Sequence, residues 1–460
     1  MLFFTWRGSR IILLPALAAL FMATTSGATR ADDWPQWLGP QRDGVWRETG
    51  IVEKFPKGGP KVLWRVPIGP GYTGPAVVDG RIYVMDRQLN TGVKNHAEPF
   101  PMRPKGSIAG VERVLCLDAK DGKEIWKSEY NCPYTVSYPA GPRATPLVRD
   151  GKVFTLGTEG NLYCLNTNDG KTIWSHDLKK EYKCAAPLWG FSAHPLLDGN
   201  KLITMVGGKG SAVVAFDKDT GKELWRSLTA GSEGDKGDIG YCPPMIYQAG
   251  GVRQLIVWHA DAVCGLDPET GKEYWSHPIK VYMGMSIATP RVVDDQLFVT
   301  SYPANATALK LDHEKPAFTV GWKGKPNKSI FSVFSTPFVV DGYVYGSSTS
   351  GKLVCLKWDT GEKVWESLQP TGGKAQPSAE FFLIQNGDRF FIANEKGDLI
   401  IAKLTPKGYA EISRTHLLEP VGTAMGRLVL WSHPAFADRK MYWRNDKELI
   451  CVSLAAEAGK

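Results

Sequence analysis

The sequence predicts an all-β fold, an eight-bladed β-propeller of four-stranded antiparallel blades. Three observations carry that expectation. The stretch "DAKDGKEIW", ending at Trp126, returns as "NTNDGKTIW" at Trp174, "DKDTGKELW" at Trp225 and "DPETGKEYW" at Trp275, with a worn copy, "KWDTGEKVW", at Trp365. The period is about 48 residues, the range of repeat architectures such as propeller blades. Finally, the last unit stops one strand short, and the front of the chain offers a strand to complete it.

The amino terminus reads as a targeting segment. Arg7 and Arg10 precede the apolar "IILLPALAALFM", and "ATTSGATRA" follows with small residues. That is the order of a secretory signal, with cleavage expected after Ala31. The apolar run is too short for a comfortable transmembrane helix, which needs about 20 residues. The first cysteine is Cys116, so no lipid anchor through an amino-terminal cysteine is expected. Without Arg7, Arg10 and Arg30, 52 basic residues face 47 acidic ones, and no Lys/Arg run stands out. Nucleic acid is therefore excluded as a partner class. The remaining 32–460 forms one expected propeller. Residues 32–60 are an N-terminal extension, 61–66 the closing strand and 88–110 a loop insertion.

Each repeat parses into four short strands. In 145–174, "PLVRD", "KVFTLG", "NLYCLN" and "TIWSHDL" are separated by turn residues, with Asp-Gly at 150–151 and 169–170. Glycine supplies the positive φ that such hairpins need. The same parse fits 195–225, 244–275 and 337–365. At 290–322 the turn is longer and lacks its Gly. At 380–412, Ile412 stands where Trp is expected, and 75–126 carries the 88–110 insertion. The last unit supplies no fourth strand after "MYWRNDKELICVSL". The strand in "GPKVLWRV", with Trp64 at the Trp position, fills that place and closes the ring, removing an exposed sheet edge.

Written from the third strand, the motif is A-x-D-x-x-T-G-K-x-x-W, clearest as Ala215, Asp217, Thr220, Gly221, Lys222 and Trp225. It resembles the tryptophan-docking motif of the pyrroloquinoline-quinone (PQQ) type eight-bladed propellers. That superfamily includes quinoprotein alcohol dehydrogenases and BamB-like outer-membrane assembly propellers. The resemblance covers nearly all of 61–460. "DDWPQWLGPQRDGV" and "GVRQLIVWHADAVCGLDPETGKEYW" are similar, more narrowly, to secreted PQQ-like propellers of planctomycete-type bacteria. It implies that Trp64, Trp126, Trp174, Trp225, Trp275, Trp322 and Trp365 are structural, each wedged against the neighbouring blade. It does not choose a function, because one fold hosts enzymes and scaffolds alike.

Chemistry is expected on the face that carries the irregular loops. Its connectors and loops bring Arg143, Trp189, Phe191, His194, Tyr241, Glu380, Trp431 and His433 toward the axis, with His259, Asp261 and Arg444 from strand-joining loops. Tyr72, Met285, Phe334 and Asn445 accompany them. Aromatic faces with a few polar groups suit a planar ligand or a sugar ring. No H-E-x-x-H, paired C-x-x-C or G-x-x-x-x-G-K is present, so no metal site or catalytic set is assigned. The resemblance admits PQQ with calcium, which needs several oxygen ligands. The adjacent-cysteine disulfide of the alcohol dehydrogenases is missing. The expectation is an exported, monomeric, non-catalytic binding or assembly scaffold, periplasmic or secreted, with a protein partner or glycan at its irregular face. The alternatives are a PQQ-dependent dehydrogenase of an alcohol or sugar, and a glycan-binding module.

Cys116, Cys164, Cys355 and Cys451 all fall on the motif's first position, held elsewhere by Ala215. They are expected to be buried free thiols filling a small slot. Cys264 lies one residue earlier, on the other side of its strand. Cys132, Cys184 and Cys242 lie in connectors, where one disulfide pair remains open.

Overall fold

Two kinds of turn shape the blades. In blades 1, 2, 4, 6 and 8 the first hairpin turns on a residue pair in left-handed conformation, as at Asp150 (φ 53°) and Gly151 (φ 72°). That is the primed turn whose twist matches the flanking strands. In blades 1, 2, 3, 4 and 6 the last hairpin turns on the motif glycine. In a computed structural model of the chain, which describes residues 1–3, 32–95, 103–230 and 239–457, these turns recur around eight four-stranded antiparallel sheets. The chain divides into Met1–Ala31 and Asp32–Lys460, and the second unit is the propeller. Most of the expected signal segment lies outside the described residues.

Blades 1 to 7 each use four consecutive strands. Blade 2, for example, runs through Leu147–Arg149, Lys152–Leu156, Asn161–Asn166 and Thr172–Asp177. Blade 8 joins Ala435–Ala437, Lys440–Arg444 and Glu448–Ser453 to the amino-terminal strand Val62–Pro67, so the ring is closed as the sequence predicts. The base of the expected 88–110 insertion is paired. Arg81–Leu89 runs against Gly110–Asp118, and the excursion is confined to 90–109, of which 96–102 lie outside the described residues. An additional hairpin, Gly422–Ala424 with Arg427–Val429, stands between blades 7 and 8. No helix among the described residues is long and apolar enough to cross a membrane.

The repeated motif is an inter-blade lock with two halves. Trp174 of blade 2 lies on Gly221 of blade 3, where an added Cβ would come within 2.8 Å of the indole. Its N–H donates to the Lys218 carbonyl of the same turn at 3.1 Å. Trp64, Trp126 and Trp322 repeat this on Gly122, Gly170 and Gly361, donating to the carbonyls of Ala119, Thr167 and Trp358. Trp225 lies on Gly271. Glycine is thus required twice, for its positive φ and for the ring that covers it. Blade 5 lacks this glycine, and Trp275 of blade 4 responds. Its indole turns over Gly265 of its own blade, donates to Gln254 Oε1 at 2.7 Å and packs on Phe318. Trp365 donates to the Thr405 carbonyl at 2.8 Å. In blade 7 the tight turn is replaced by the hairpin Thr405/Gly408. Pairing then skips Ile412, and Ser413 faces Ile401 instead.

The cysteine slot has the same origin. Across the sheet from each docking Trp stands a small residue: Cys116 opposite Trp126, Cys164 opposite Trp174, Cys355 opposite Trp365 and Cys451 opposite Trp64. All eight cysteines are free. No pair forms among the connector cysteines. Cys132, Cys184 and Cys242 turn to different acceptors, Asn161 Oδ1, the Leu178 and Val206 carbonyls, and the Ala288 carbonyl.

The extension before the closing strand is not a surface tail. Residues 34–46 enter the middle of the ring, where first strands of neighbouring blades meet. Trp34 pairs with Val77 of blade 1, and the Pro35 carbonyl accepts from Val148 of blade 2. Arg42 donates to the Pro195 carbonyl at 2.9 Å and the Pro244 carbonyl at 3.4 Å, entering blades 3 and 4. Arg291 of blade 5 donates to the Arg42 and Asp43 carbonyls. Gly44 and Trp46 bond Gln385 of blade 7, and Trp46 packs on Phe436 of blade 8 at 5.0 Å. Burial lowers the Arg42 guanidinium to about 10, still charged at neutral pH and held by backbone carbonyls, the Gln36 amide oxygen and the Met245 sulfur, with no carboxylate among its described acceptors.

Candidate functional site

An axial cavity of about 340 Å³ opens on the irregular face. Apart from Trp37, Tyr302 and Phe382, its lining comes from the connectors that lead into the blades. The floor is Trp37, delivered by the axial segment. Its ring stacks on His194 at 4.3 Å and 7° and meets His433 edge-on at 4.3 Å and 82°. The indole N–H donates to Thr289 Oγ1 at 3.1 Å. Thr145 ties the two histidines together. Its N–H donates to His194 Nδ1 at 2.8 Å, and its hydroxyl bonds His433 Nε2 at 2.7 Å. Gly74 lies so close to the His433 ring that no Cβ would fit. Burial, with His433 and Arg42 nearby, holds His194 well below the usual histidine range, and burial alone lowers His433 to about 3. Both rings are neutral at physiological pH. A base of that weakness is far from the pKa that general-base catalysis favours.

The walls are aromatic. Trp189 packs on Tyr241 at 5.5 Å, and Phe334 on Trp431 at 5.1 Å. Tyr138 and Tyr72 meet Trp431 from the other side at 5.7 and 6.4 Å. The Arg143 guanidinium lies 5.1 Å from the Tyr72 ring centre. Its hydrogen bonds run to the carbonyls of Gly141, Ser137 and Tyr138, so it braces its own connector. The rim is apolar and open: Tyr282 is 54% and Met425 45% exposed. No described lining residue is a carboxylate.

The cavity brings together Arg143, Trp189, His194, Tyr241, Trp431 and His433, with Tyr72, Met285 and Phe334. Six sequence candidates lie elsewhere, Asn445 among them in the second cavity described below. Phe191 fills the core under Gly160 between blades 2 and 3. His259 is buried, its Nδ1 accepting from the Asp261 N–H and its Nε2 near the Cys264 thiol. Asp261 sits half-buried in that same turn, outside the cavity. Glu380 lies beneath the wall, accepting from the Val333 N–H at 2.9 Å and the Ser335 and Ser347 hydroxyls. Burial raises its carboxyl to about 7 against those donors. Arg444 is fully buried and donates to the carbonyls of Met85, Gly69 and Asn445. Sequence reasoning missed Trp37, Tyr138, Tyr282, Tyr302 and Phe382. The signal for Trp37 was available in the aromatic density of "DDWPQWLGP".

Behind Tyr72, Tyr138 and Trp431 lies a second, more polar cavity of about 290 Å³, reaching Asn95, Thr423, Asn445 and Asp446.

The family described as outer membrane protein assembly factor BamB, a PQQ-type repeat family, matches residues 110–367. The chain belongs to that family. Among solved structures, BamB from Moraxella catarrhalis is 17% identical, with a TM-score of 0.50, covering 81% of this chain and 99% of its own. A quinohemoprotein alcohol dehydrogenase from Pseudomonas putida is 13% identical, with a TM-score of 0.56, covering 93% of this chain and 81% of its own. At these identities the likeness is one of fold. No curated protein matches by sequence.

The BamB-like fold is thus shared with dehydrogenases, which makes PQQ worth testing against the residues. PQQ is a planar quinone with several carboxylates, held with a hard cation that takes six to eight oxygen ligands. The described lining offers one arginine, already engaged by carbonyls, and no carboxylate. Glu380 is held by the Val333 N–H and two serines. No cluster of three or more His, Cys, Asp or Glu among the described residues could hold a metal. The residues present do not fit the calcium–quinone pair.

Proposed function

We propose that this BamB-like propeller is an exported, non-catalytic docking scaffold that takes an apolar segment of a protein partner into its axial cavity. The observation that carries the reading is the lining itself. It is a cup of aromatic faces whose one arginine, Arg143, is bonded to carbonyls of its own connector, over a floor where both histidines are neutral and tied to one threonine. Such a surface offers dispersion and desolvation rather than acid–base chemistry, and aromatic anchors in pockets dominate protein interfaces. The exposed Tyr282, Met425 and Leu428 extend the apolar surface beyond the mouth. Export is supported by the order of charge, apolar run and small residues in 1–31, and by the boundary between the two units at Ala31.

The test is a titration of the purified protein with blocked peptides that carry Phe or Leu between glycines, against a Ser-substituted control. Saturable binding of the apolar peptides is expected, weakened at least tenfold by Trp431→Ala. Equal binding of the Ser control, or no effect of Trp431→Ala, contradicts the reading. Mass spectrometry of protein from the exported fraction is expected to give Asp32 as the first residue, and retention of Met1 there contradicts cleavage.

A further inference from the structure

The second cavity has a chemistry of its own. Among its described lining residues Asp446 is the one carboxylate, and Tyr72, Tyr138 and Trp431 separate it from the axial cavity. One carboxylate oxygen, Oδ1, accepts the Gly71 N–H at 3.1 Å. The other, Oδ2, accepts no hydrogen bond from a described residue. It lies beside Gly422, where an added Cβ would stand 3.1 Å away, so the missing side chain leaves that oxygen open on the cavity side. The neighbouring cation is Arg444, whose guanidinium is engaged by the carbonyls of Met85, Gly69 and Asn445. Arg87 donates to Asn95 Oδ1 at 3.2 Å and is likewise held by the Pro139 and Ile108 carbonyls. Both arginines are thus engaged within the protein, and a part-buried carboxylate oxygen shares the lining of an accessible cavity with three aromatic residues.

We propose that this cavity binds a primary ammonium group, and that the docked partner presents a lysine side chain there. This rests on the docking reading above. Aromatic faces attract cations through their quadrupoles, and the attraction grows as water is removed. A carboxylate supplies a charge-assisted acceptor in the same space. The chemistry selects ammonium over guanidinium. A guanidinium binds best through two parallel bonds to both carboxylate oxygens, but Oδ1 is occupied by Gly71. A single open oxygen suits a compact point charge.

The experiment uses n-butylammonium, the lysine side-chain mimic, with n-butanol and n-propylguanidinium as controls. Ligand-observed NMR titration is run on the whole chain at constant ionic strength. Butylammonium is expected to bind saturably and at least tenfold more tightly than butanol, with propylguanidinium between. Asp446→Asn, which keeps the acceptor for Gly71, is expected to bring butylammonium down to the butanol value. Gly422→Ala, which crowds Oδ2 while leaving the charge, is expected to weaken it at least threefold. Ile173→Ala, at an exposed position on the outer strand of blade 2, is expected to leave it unchanged. Equal binding of butylammonium and butanol, or a preference that survives Asp446→Asn, overturns the proposal. Because the probe is not a peptide, the outcome is separate from whether apolar peptides enter the axial cavity.

Discussion

The outer belt of docking tryptophans and the axial segment 34–46 both hold the ring together, but by opposite means. The belt repeats one local contact, a Trp on the next blade's glycine, so each lock joins two neighbours. The axial segment appears once and touches blades 1, 2, 3, 4, 5, 7 and 8. The belt tolerates a missing member: where blade 5 lacks its glycine, Trp275 finds Gln254 within its own blade. The axial segment has no second copy, and it also delivers Trp37 to the cavity floor. Stability is distributed in the belt and concentrated at the axis, and the binding surface stands on the concentrated part.

Deleting residues 32–66 perturbs the ring most severely. This removes both the axial segment and the strand that closes blade 8. Loss of a cooperative melt and aggregation through the freed edge of Glu448–Ser453 are expected. A truncated chain that melts like the full one would remove the axial segment from the account. Next in size is Trp174→Ala, expected to cost about 3–5 kcal/mol by denaturant unfolding, the usual range for a buried Trp. A smaller effect separates the glycine's two duties. Gly221 and Gly80 both hold positive φ, at 75° and 72°, but only Gly221 is covered by an indole. Gly221→Ala is expected to cost about 1–3 kcal/mol more than Gly80→Ala, the usual range for overpacking. Equal costs would mean that the turn alone, not docking, selects glycine.

The belt was legible in the sequence because it is a local rule written many times. Spacing alone placed the tryptophans, turn glycines, the cysteine slot and the closing strand. The axial segment was not legible as a plug. Its partners, from Val77 to Phe436, lie far away in sequence and share no motif. The connectors were half-legible for a related reason. They have no strand or helix period, so nothing told Trp189, which enters the cavity, from Phe191, two residues on, which enters the core. Glu380 misled because a carboxylate near the axis reads as functional. Only the fold brings Ser335 and Ser347 to it.

A gentler probe of the floor is pH. His433 falls from 6.5 unfolded to about 3 folded. Its contribution is full above pH 6.5 and is lost as pH falls toward 3, because the unfolded chain takes up the proton first. Glu380, raised from 4.5 to about 7, acts oppositely: its contribution is full below 4.5 and is lost as pH rises to 7. Comparing wild type with His433→Asn cancels Glu380. Between pH 6 and 4 the wild type is expected to lose about 1.4 kcal/mol per pH unit more than the variant. Parallel curves would mean that the ring is open to solvent.

If the axial cup binds while the repeats hold the ring, Trp189→Ala separates the two roles. Its ring packs on Tyr241 at the wall of the cavity. Melting and apolar-peptide binding are measured on the same preparation. The expected result is a melting temperature within about 2 °C of wild type, consistent with a change below about 1 kcal/mol, and binding weakened at least tenfold. A variant that unfolds in the absence of peptide, or one that binds peptide as well as wild type, contradicts that division.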